Sequence, residues 1–388
     1  MPLDNTLPFL VAIRRHCPEL DIKIVSTDQS FADVVAGERL LSEVLRKYRI
    51  EINSPQDGER RVGKLTRLTR LAAEMLNQCI CRPVFLINTW QIRRGRWFLS
   101  VVMAINRVLH GGKTIELKLL PSTEKVDRFL RDVLNSQYRR SMERPAIGPC
   151  DVAIASLPQS EFRTIQARQF VQVGYGRGFE SWTKEVEASL DDLDPEIADD
   201  FIFWPLSVLG RTEKTEVIDL RETIAATIRL FMRAGITSQI VFRYHPTTDR
   251  VAFRRILAET GLANYLISNS HPHQLIRRCR FVFSNTGTSL YCDASFFRRP
   301  VVQYTPSAAI FCVRNEMGIP VASIYQPVVD LFFSEERKFE EFLADFRDGA
   351  GLLHRLPGKD LSGFEPTLES DERELIAKVF RIGYQRSG

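Results

Sequence analysis

Apolar residues recur along this chain with two distinct periods. LPFLVAIRRH (7–16) and FADVVAGERLLSEVLRKYR (31–49) show the three-to-four spacing of amphipathic helices. GKLTRLTRLAAEMLNQ (63–78) repeats it with Leu65, Leu68, Leu71 and Leu76. FLSVVMAINRVLH (98–110) predicts another helix, stopped by Gly111 and Gly112. Between them lie short apolar runs that predict buried strands: IKIVS (22–26), PVFLINT (83–89), TIELKLL (114–120), DVAIASL (151–157) and FVQVGY (170–175). Helices and strands in alternation predict βαβ units and a mostly parallel sheet.

The pattern is interrupted and then resumes. GYGRGFESW (174–182) is glycine-rich, and ASLDDLDPEIADD (188–200) is acidic with little to bury, which predicts a linker. A second α/β run starts at FIFWPLSVLG (201–210). It predicts helices over 218–234, 250–260, 272–279 and 289–297, and strands over 238–246, 264–269, 280–286 and 300–304. ERELIAKVFRIGYQ (372–385) reads as a closing amphipathic helix. The expected organisation is therefore a first α/β domain over 1–182, an acidic linker over 183–200, a second α/β domain over 201–370 and a C-terminal helix over 371–388. Two such domains imply a cleft, with ligands beyond the carboxyl ends of the strands.

Composition narrows the class. At 388 residues and 44% hydrophobic, the chain has ample core, and disorder is excluded. No apolar run reaches the roughly 20 residues that span a bilayer. The first residues, MPLDNTLPFLVAIRRHCPEL, place two arginines where a secretory signal needs apolar residues, so a cytoplasmic location is expected. Seven cysteines without CxxC spacing predict buried, reduced thiols.

Charge is uneven. Of the net +5, residues 1–150 carry +9 and the remainder −4. ERRVGKLTRLTR (59–70) and QIRRGRWF (91–98) concentrate the excess, which suits an anionic inner-membrane surface. No zinc-finger, RNP or helix-turn-helix signature accompanies it, so no nucleic-acid partner is expected.

The candidate chemistry lies in the second α/β run, in two motifs expected at the carboxyl ends of neighbouring strands of one sheet. Arg243, Tyr244, His245 and Pro246 close IVFRYHP. Ser284, Asn285, Thr286, Gly287, Thr288 and Ser289 close FVFSNTGTS just before a helix. Small hydroxyl residues and glycine at a helix start suit a diphosphate. His245 would add a hydrogen bond, Pro246 would end the strand, and Asp293 would accept from ribose hydroxyls. His271 and His273 flank Pro272 at a helix start, where capping and surface roles are expected of the pair.

HPHQLIRRCRFVFSNTGTSLYCDASFFRRPVVQY (271–304) resembles the nucleotide-binding half of GT-B glycosyltransferases, in particular bacterial capsule and surface-carbohydrate biosynthesis proteins. The His-Pro pair in FRYHP and the Ser/Thr turn are similar to those of bacterial sialyltransferases, capsule Kdo transferases and CDP-glycerol glycerophosphotransferases. VQVGYGRGFESW (171–182) resembles the segment that ends the first domain of the surface-carbohydrate group. The resemblance implies two Rossmann-like domains facing a central cleft. It also implies a nucleotide-sugar donor of the CMP/CDP or UDP type, with Arg243, His245, Pro246, the 284–289 turn and Asp293 around the nucleotide. Two features depart from the family's pattern. The helix after the turn carries Asp293 where Glu is usual, and the first domain's opening strand is missing, because Met1 leads almost directly into LPFLVAIRR.

The expected reaction is metal-independent transfer of a sugar to a surface polysaccharide or lipid-linked glycan. Fixed dipoles with Arg243 or His245 would stabilise the leaving phosphate. No DxD-type acidic pair calls for a metal and no resident cofactor is expected. The acceptor's base should come from the first domain, with Asp28 as the weak candidate beside Asp57 and His110. Two alternatives stand beside transfer: a nucleotide-sugar 2-epimerase, and a degenerate, non-catalytic GT-B protein of a polysaccharide assembly complex.

Overall fold

A computed structural model describes residues 2–25, 35, 37–53, 77, 83–89, 96–119, 150–161, 167–206, 220–245, 248–306, 326–347 and 363–380. The predicted helix over 63–78, apart from Asn77, lies outside this set. So do Asp28, Asp57, Pro246, the cluster 59–70, Arg93 and Arg94. The chain divides into two compact units. One comprises Met1–Leu120, Arg140–Glu185 and Pro366–Gly388; the other comprises Pro121–Arg139 and Val186–Glu365.

In the first unit, α1 (Pro2–His16) buries Leu7, Phe9, Leu10, Val11, Ala12 and Ile13. Next come β1 (Ile22–Val25), α2 (Arg39–Lys47) and β2 (Ile50–Asn53), with β1 and β2 paired in parallel. The α2 helix buries Leu40, Leu41, Val44 and Leu45 on one face, and ends in Arg46 and Lys47, which complement its dipole. A second, four-stranded parallel sheet has the order β3 (Phe85–Thr89), β4 (Lys113–Lys118), β5 (Cys150–Ala155), β6 (Ala167–Gln172). The crossover from β3 to β4 is α3 (Arg96–His110). Gly111 ends α3 at φ +73°, in the left-handed region. Gly112 is required by close packing, since a Cβ there would lie 2.7 Å from the Val84 carbonyl. Asn106, beneath it, accepts from Val84 N at 2.9 Å.

Asp151 in β5 ties this sheet to α3. It accepts from Thr114 N at 2.9 Å, Thr114 Oγ1 at 3.1 Å and Arg107 Nη2 at 2.5 Å. Burial pushes the carboxyl's pKa up, but the bond from Thr114 N and the Arg107 guanidinium together outweigh burial and hold it below the usual carboxylate range. The folded pKa is thus below the unfolded value of about 3.9. The stabilisation is present above that value and is lost as pH falls through the folded pKa. Asp151→Asn is expected to flatten the acid limb of unfolding followed by far-UV circular dichroism. An acid limb as steep as wild type would remove Asp151 from this role.

The predicted closing helix is observed as α10 (Glu369–Phe380) and belongs to the first unit, where it packs on α1. The predicted linker is not featureless. Its start is the end of α4 (Glu180–Ala188), whose Trp182, Glu185 and Val186 are buried.

The second unit is a six-stranded parallel sheet of β7 (Phe201–Pro205), β8 (Gln239–Arg243), β9 (Tyr265–Ile267), β10 (Phe281–Ser284), β11 (Val301–Tyr304) and β12 (Leu331–Phe333). Its spatial order is β12-β11-β10-β7-β8-β9. FIFWP, FVFS and VVQY are buried at every position, as befits strands covered on both faces. The connecting helices are α5 (Arg221–Arg233), α6 (Arg250–Thr260), α7 (Pro272–Arg278) and α8 (Leu290–Phe296). α9 (Glu336–Arg347) and β12 fall where the sequence pattern predicted nothing. Phe339, Phe342 and Phe346 on α9 join Trp204, Phe231 and Phe283 in one aromatic core. Trp204 meets Phe283 edge-on at 4.6 Å between centroids.

Cys17, Cys150, Cys279 and Cys292 are buried and unbridged. Burial pushes the Cys279 thiol up to about 12. Among the described residues, no helix is long and apolar enough to cross a membrane.

Candidate functional site

The strand order of the six-stranded sheet reverses at one place. Counted within this unit, its strands run 3-2-1-4-5-6, and the first strand β7 and fourth strand β10 lie side by side. The crossovers leave these two strands toward opposite edges, the arrangement beyond whose carboxyl ends such sheets bind ligands. The candidate motifs flank this switch point. The Ser/Thr turn ends β10, and Arg243, Tyr244 and His245 end β8, on the other side of β7. The sequence had suggested adjacent strands for the two motifs. They are instead two strand spacings apart, about 9–10 Å, because β7 inserts between them.

At the end of β8, Arg243 is half-buried and its Nε donates to the Ser270 carbonyl at 2.9 Å. The Tyr244 ring packs edge-on against Phe253, and the Arg250 guanidinium lies 5.1 Å over it. His245 is exposed. Its backbone N donates to Thr248 Oγ1 at 2.9 Å and its carbonyl accepts from Thr248 N at 2.9 Å. Pro246 is outside the described residues.

The turn after β10 divides its residues between scaffold and surface. Ser284 Oγ accepts from Thr286 N at 3.3 Å. Asn285 Nδ2 donates to Thr227 Oγ1 at 3.0 Å and to the Tyr304 carbonyl at 2.8 Å. Thr305 Oγ1 returns a bond to the Asn285 carbonyl at 2.5 Å. Tyr291 reaches back from α8 to the carbonyls of Ser284 and Thr286, and burial pushes its phenol upward. Ser284, Asn285, Thr286 and Gly287 are all buried, whereas Thr288 and Ser289 are half-buried. Ser289 makes no side-chain cap to its helix. Among the described residues, Asn285 Oδ1 is a buried acceptor without a hydrogen-bond partner.

Asp293 differs from the expectation. It is 0% exposed, and its Oδ1 lies 3.2 Å from His273 Nε2. The carboxylate predicted to accept from a ribose is taken up by this imidazole, because α7 and α8 pack side by side and turn both groups inward. His273 has neither a capping nor a surface role and is buried for the same reason. His271 is a cap: its Nδ1 accepts from His273 N, and Gln274 Oε1 accepts from His271 N, completing a capping box. The weak base candidate Asp28 and also Asp57 are outside the described residues, and His110 ends α3 in the first unit.

Sequence reasoning missed Thr227 and Thr305, which hold the turn from α5 and from the end of β11. Thr305 had a signal, a hydroxyl residue directly after the apolar strand PVVQY. Thr227 had none, since a threonine inside a helix is unremarkable.

No family model matches this chain, and no curated protein matches it in sequence. Solved structures do. A Methanocaldococcus jannaschii UDP-GlcNAc 2-epimerase, in complex with UDP-GlcNAc and UDP, is similar over 98% of this chain and 97% of its own, with a TM-score of 0.51 and 13% identity. Arabidopsis thaliana UGT89C1, complexed with UDP-L-rhamnose, is similar over 97% of this chain and 95% of its own, with a TM-score of 0.50 and 11% identity. At these identities the likeness is one of fold. The chain has the GT-B fold, with Rossmann-like α/β organisation.

Proposed function

We propose that this protein is a metal-independent glycosyltransferase that moves a sugar from a nucleotide-sugar donor to a surface polysaccharide or lipid-linked glycan. The observation that supports it most is the strand reversal between β7 and β10, with the His245 and Ser/Thr motifs on either side. The donor diphosphate would meet His245, Thr288 and Ser289. Asn285 Oδ1 would accept from a ligand donor, relieving an unsatisfied buried oxygen that otherwise costs about 1–3 kcal/mol. In the reaction the acceptor oxygen bonds to the anomeric carbon as its bond to the β-phosphate oxygen breaks. The acceptor proton leaves to a base, and the leaving diphosphate gains charge. His245 and the two hydroxyls would stabilise that charge. The two similar structures are complexes with uridine nucleotides, which favours UDP over CMP or CDP for the donor. The capsule and surface-carbohydrate assignment rests on the motif resemblance.

A thermal-shift series with UDP, CMP, CDP, GDP and ADP tests the donor site. UDP is expected to raise the midpoint by mass action. His245→Ala should weaken UDP binding about tenfold, roughly 1.4 kcal/mol, without lowering the midpoint of the free protein, because the side chain is exposed. Unchanged affinity would remove His245 from the site. No shift with any nucleotide would favour the non-catalytic alternative, for which the capture of Asp293 by His273 speaks. The likeness to a 2-epimerase supports the other alternative, and conversion of UDP-GlcNAc to its 2-epimer without an acceptor would establish it in place of transfer.

A further inference from the structure

Asn285 is the first residue after β10, at the carboxyl end of a strand that borders β7 where the strand order reverses. It is 2% exposed, and the groups around its side chain each have a fixed hydrogen-bonding sense. Nδ2 donates to the Tyr304 carbonyl, which can only accept, and to Thr227 Oγ1. Thr227 gives its own hydroxyl proton to the Thr223 carbonyl at 2.7 Å, so toward Asn285 it too can only accept. A flipped amide would set Oδ1 against two acceptors, so the network admits one orientation. The main chain is held as well, because Thr305 Oγ1 accepts from Gln303 Nε2 at 3.0 Å and donates to the Asn285 carbonyl. Asn285 Oδ1 is therefore a locked acceptor, and among the described residues it has no hydrogen-bond partner.

A locked acceptor selects its ligand atom by chemistry. A phosphate oxygen brings lone pairs and negative charge, so a carbonyl-type oxygen repels it. A hydroxyl or a ring N–H bonds to it. A ligand without that donor is penalised, because the buried oxygen then stays unpaired. The acid that the sequence suggested for this task, Asp293, is engaged by His273. On UDP the available donors are the two ribose hydroxyls and the uracil N3–H.

We infer that Asn285 reads the nucleoside of the donor: Oδ1 accepts from a ribose hydroxyl or from the uracil N3–H. Thr227, inside α5, is the positioning residue that fixes the amide. The inference rests on the donor-site reading above and deepens it. The diphosphate is left to His245, Thr288 and Ser289, and Asn285 takes the part expected of Asp293.

Titration calorimetry of the full chain with UDP, 2′-deoxy-UDP, 3′-deoxy-UDP and N3-methyl-UDP tests it, on wild type, Asn285→Ala, Thr227→Ser and Thr227→Val. In wild type one analogue should bind about tenfold more weakly than UDP, and that analogue names the group that Asn285 reads. In Asn285→Ala, UDP should weaken and its advantage over that analogue should shrink to within about twofold, as expected when both partners of one contact are removed. Thr227→Ser should keep the wild-type ratio. Thr227→Val, which removes an acceptor from Nδ2 and lets the amide turn, should reduce it. The ratio separates reading from scaffolding, since a purely structural loss weakens UDP and the analogue alike. UDP binding by wild type with all three analogues equal to UDP would overturn the inference while leaving the donor site in place, and that arm needs no variant to fold. A wild-type ratio in folded Asn285→Ala or in Thr227→Val would also overturn it. Absence of UDP binding by wild type would overturn the donor-site reading, and this inference with it.

Discussion

Replacing His273 by alanine is expected to destabilise the second unit by about 3–5 kcal/mol. Asp293 is 0% exposed and His273 Nε2 stands 3.2 Å from its carboxylate. Removing the imidazole strips a desolvated carboxylate of this partner and opens a cavity against Phe297, whose ring centroid lies 5.1 Å from that of His273. In a unit of this size the loss corresponds to a fall in melting midpoint of roughly 10 °C. Asp293→Ala should do comparable damage. The double variant His273→Leu/Asp293→Leu should recover much of it, because a buried pair replaced by apolar groups is often close to neutral. The cycle of singles and double, read by calorimetry of the full chain, measures the coupling directly. A loss below about 1 kcal/mol in His273→Ala, or a double variant as unstable as the sum of the singles, would refute the pairing. The contrast with His245→Ala separates scaffold from site. Loss of the exposed histidine should leave the midpoint alone and lower UDP affinity. Loss of the buried one should lower the midpoint.

Glu372→Ala is the second large effect, also expected at about 3–5 kcal/mol, and it falls in the first unit. Glu372 is 0% exposed on α10. Its Oε1 accepts from Ser181 N at 2.8 Å, its Oε2 accepts from Ser181 Oγ, and His16 Nε2 lies 3.2 Å from Oε2. One carboxylate therefore joins α10 to the first turn of α4 and to the end of α1. Truncation to alanine leaves the Ser181 N–H and hydroxyl without this acceptor in a buried site. Glu372→Gln keeps one acceptor oxygen but sets an amide NH2 against a donor, so an intermediate loss is expected. Hydrogen exchange should show α10 opening first, since its exposed contacts, such as Arg15 with Glu369, add little. Unaltered exchange across 369–380 in Glu372→Ala would show that the helix is held by its apolar face alone, through Leu375, Ile376, Val379 and Phe380.

Both clusters were invisible along the sequence, for a definite reason. Ser181 and Glu372 are 191 residues apart, and nothing local to either predicts the other. Asp293 was expected to accept from ribose hydroxyls, since spacing alone does not say which face of a seven-residue helix is covered. The missed elements have physical reasons too. IEIN of β2 is short and half polar. Phe339, Phe342 and Phe346 of α9 sit among Glu and Lys in an otherwise polar stretch, where their periodicity is easily overlooked. The motif ends of β8 and β10 were legible because each is a local change from apolar run to turn residues. Their separation by β7 was not, because strand order depends on how crossovers pack on the whole sheet.

What the amino-acid sequence determined by itself is the alternation of apolar strands with amphipathic helices, the α/β class, and the position of the turns that end each strand. Those are properties of residues within a few positions of one another, set by periodicity and by turn chemistry. The tertiary structure alone decided that β7 lies between the two candidate motifs, that Asp293 faces His273, and that Glu372 reaches Ser181. Each of these depends on which surfaces lose water together, and that is settled only when distant segments compete for the same buried face.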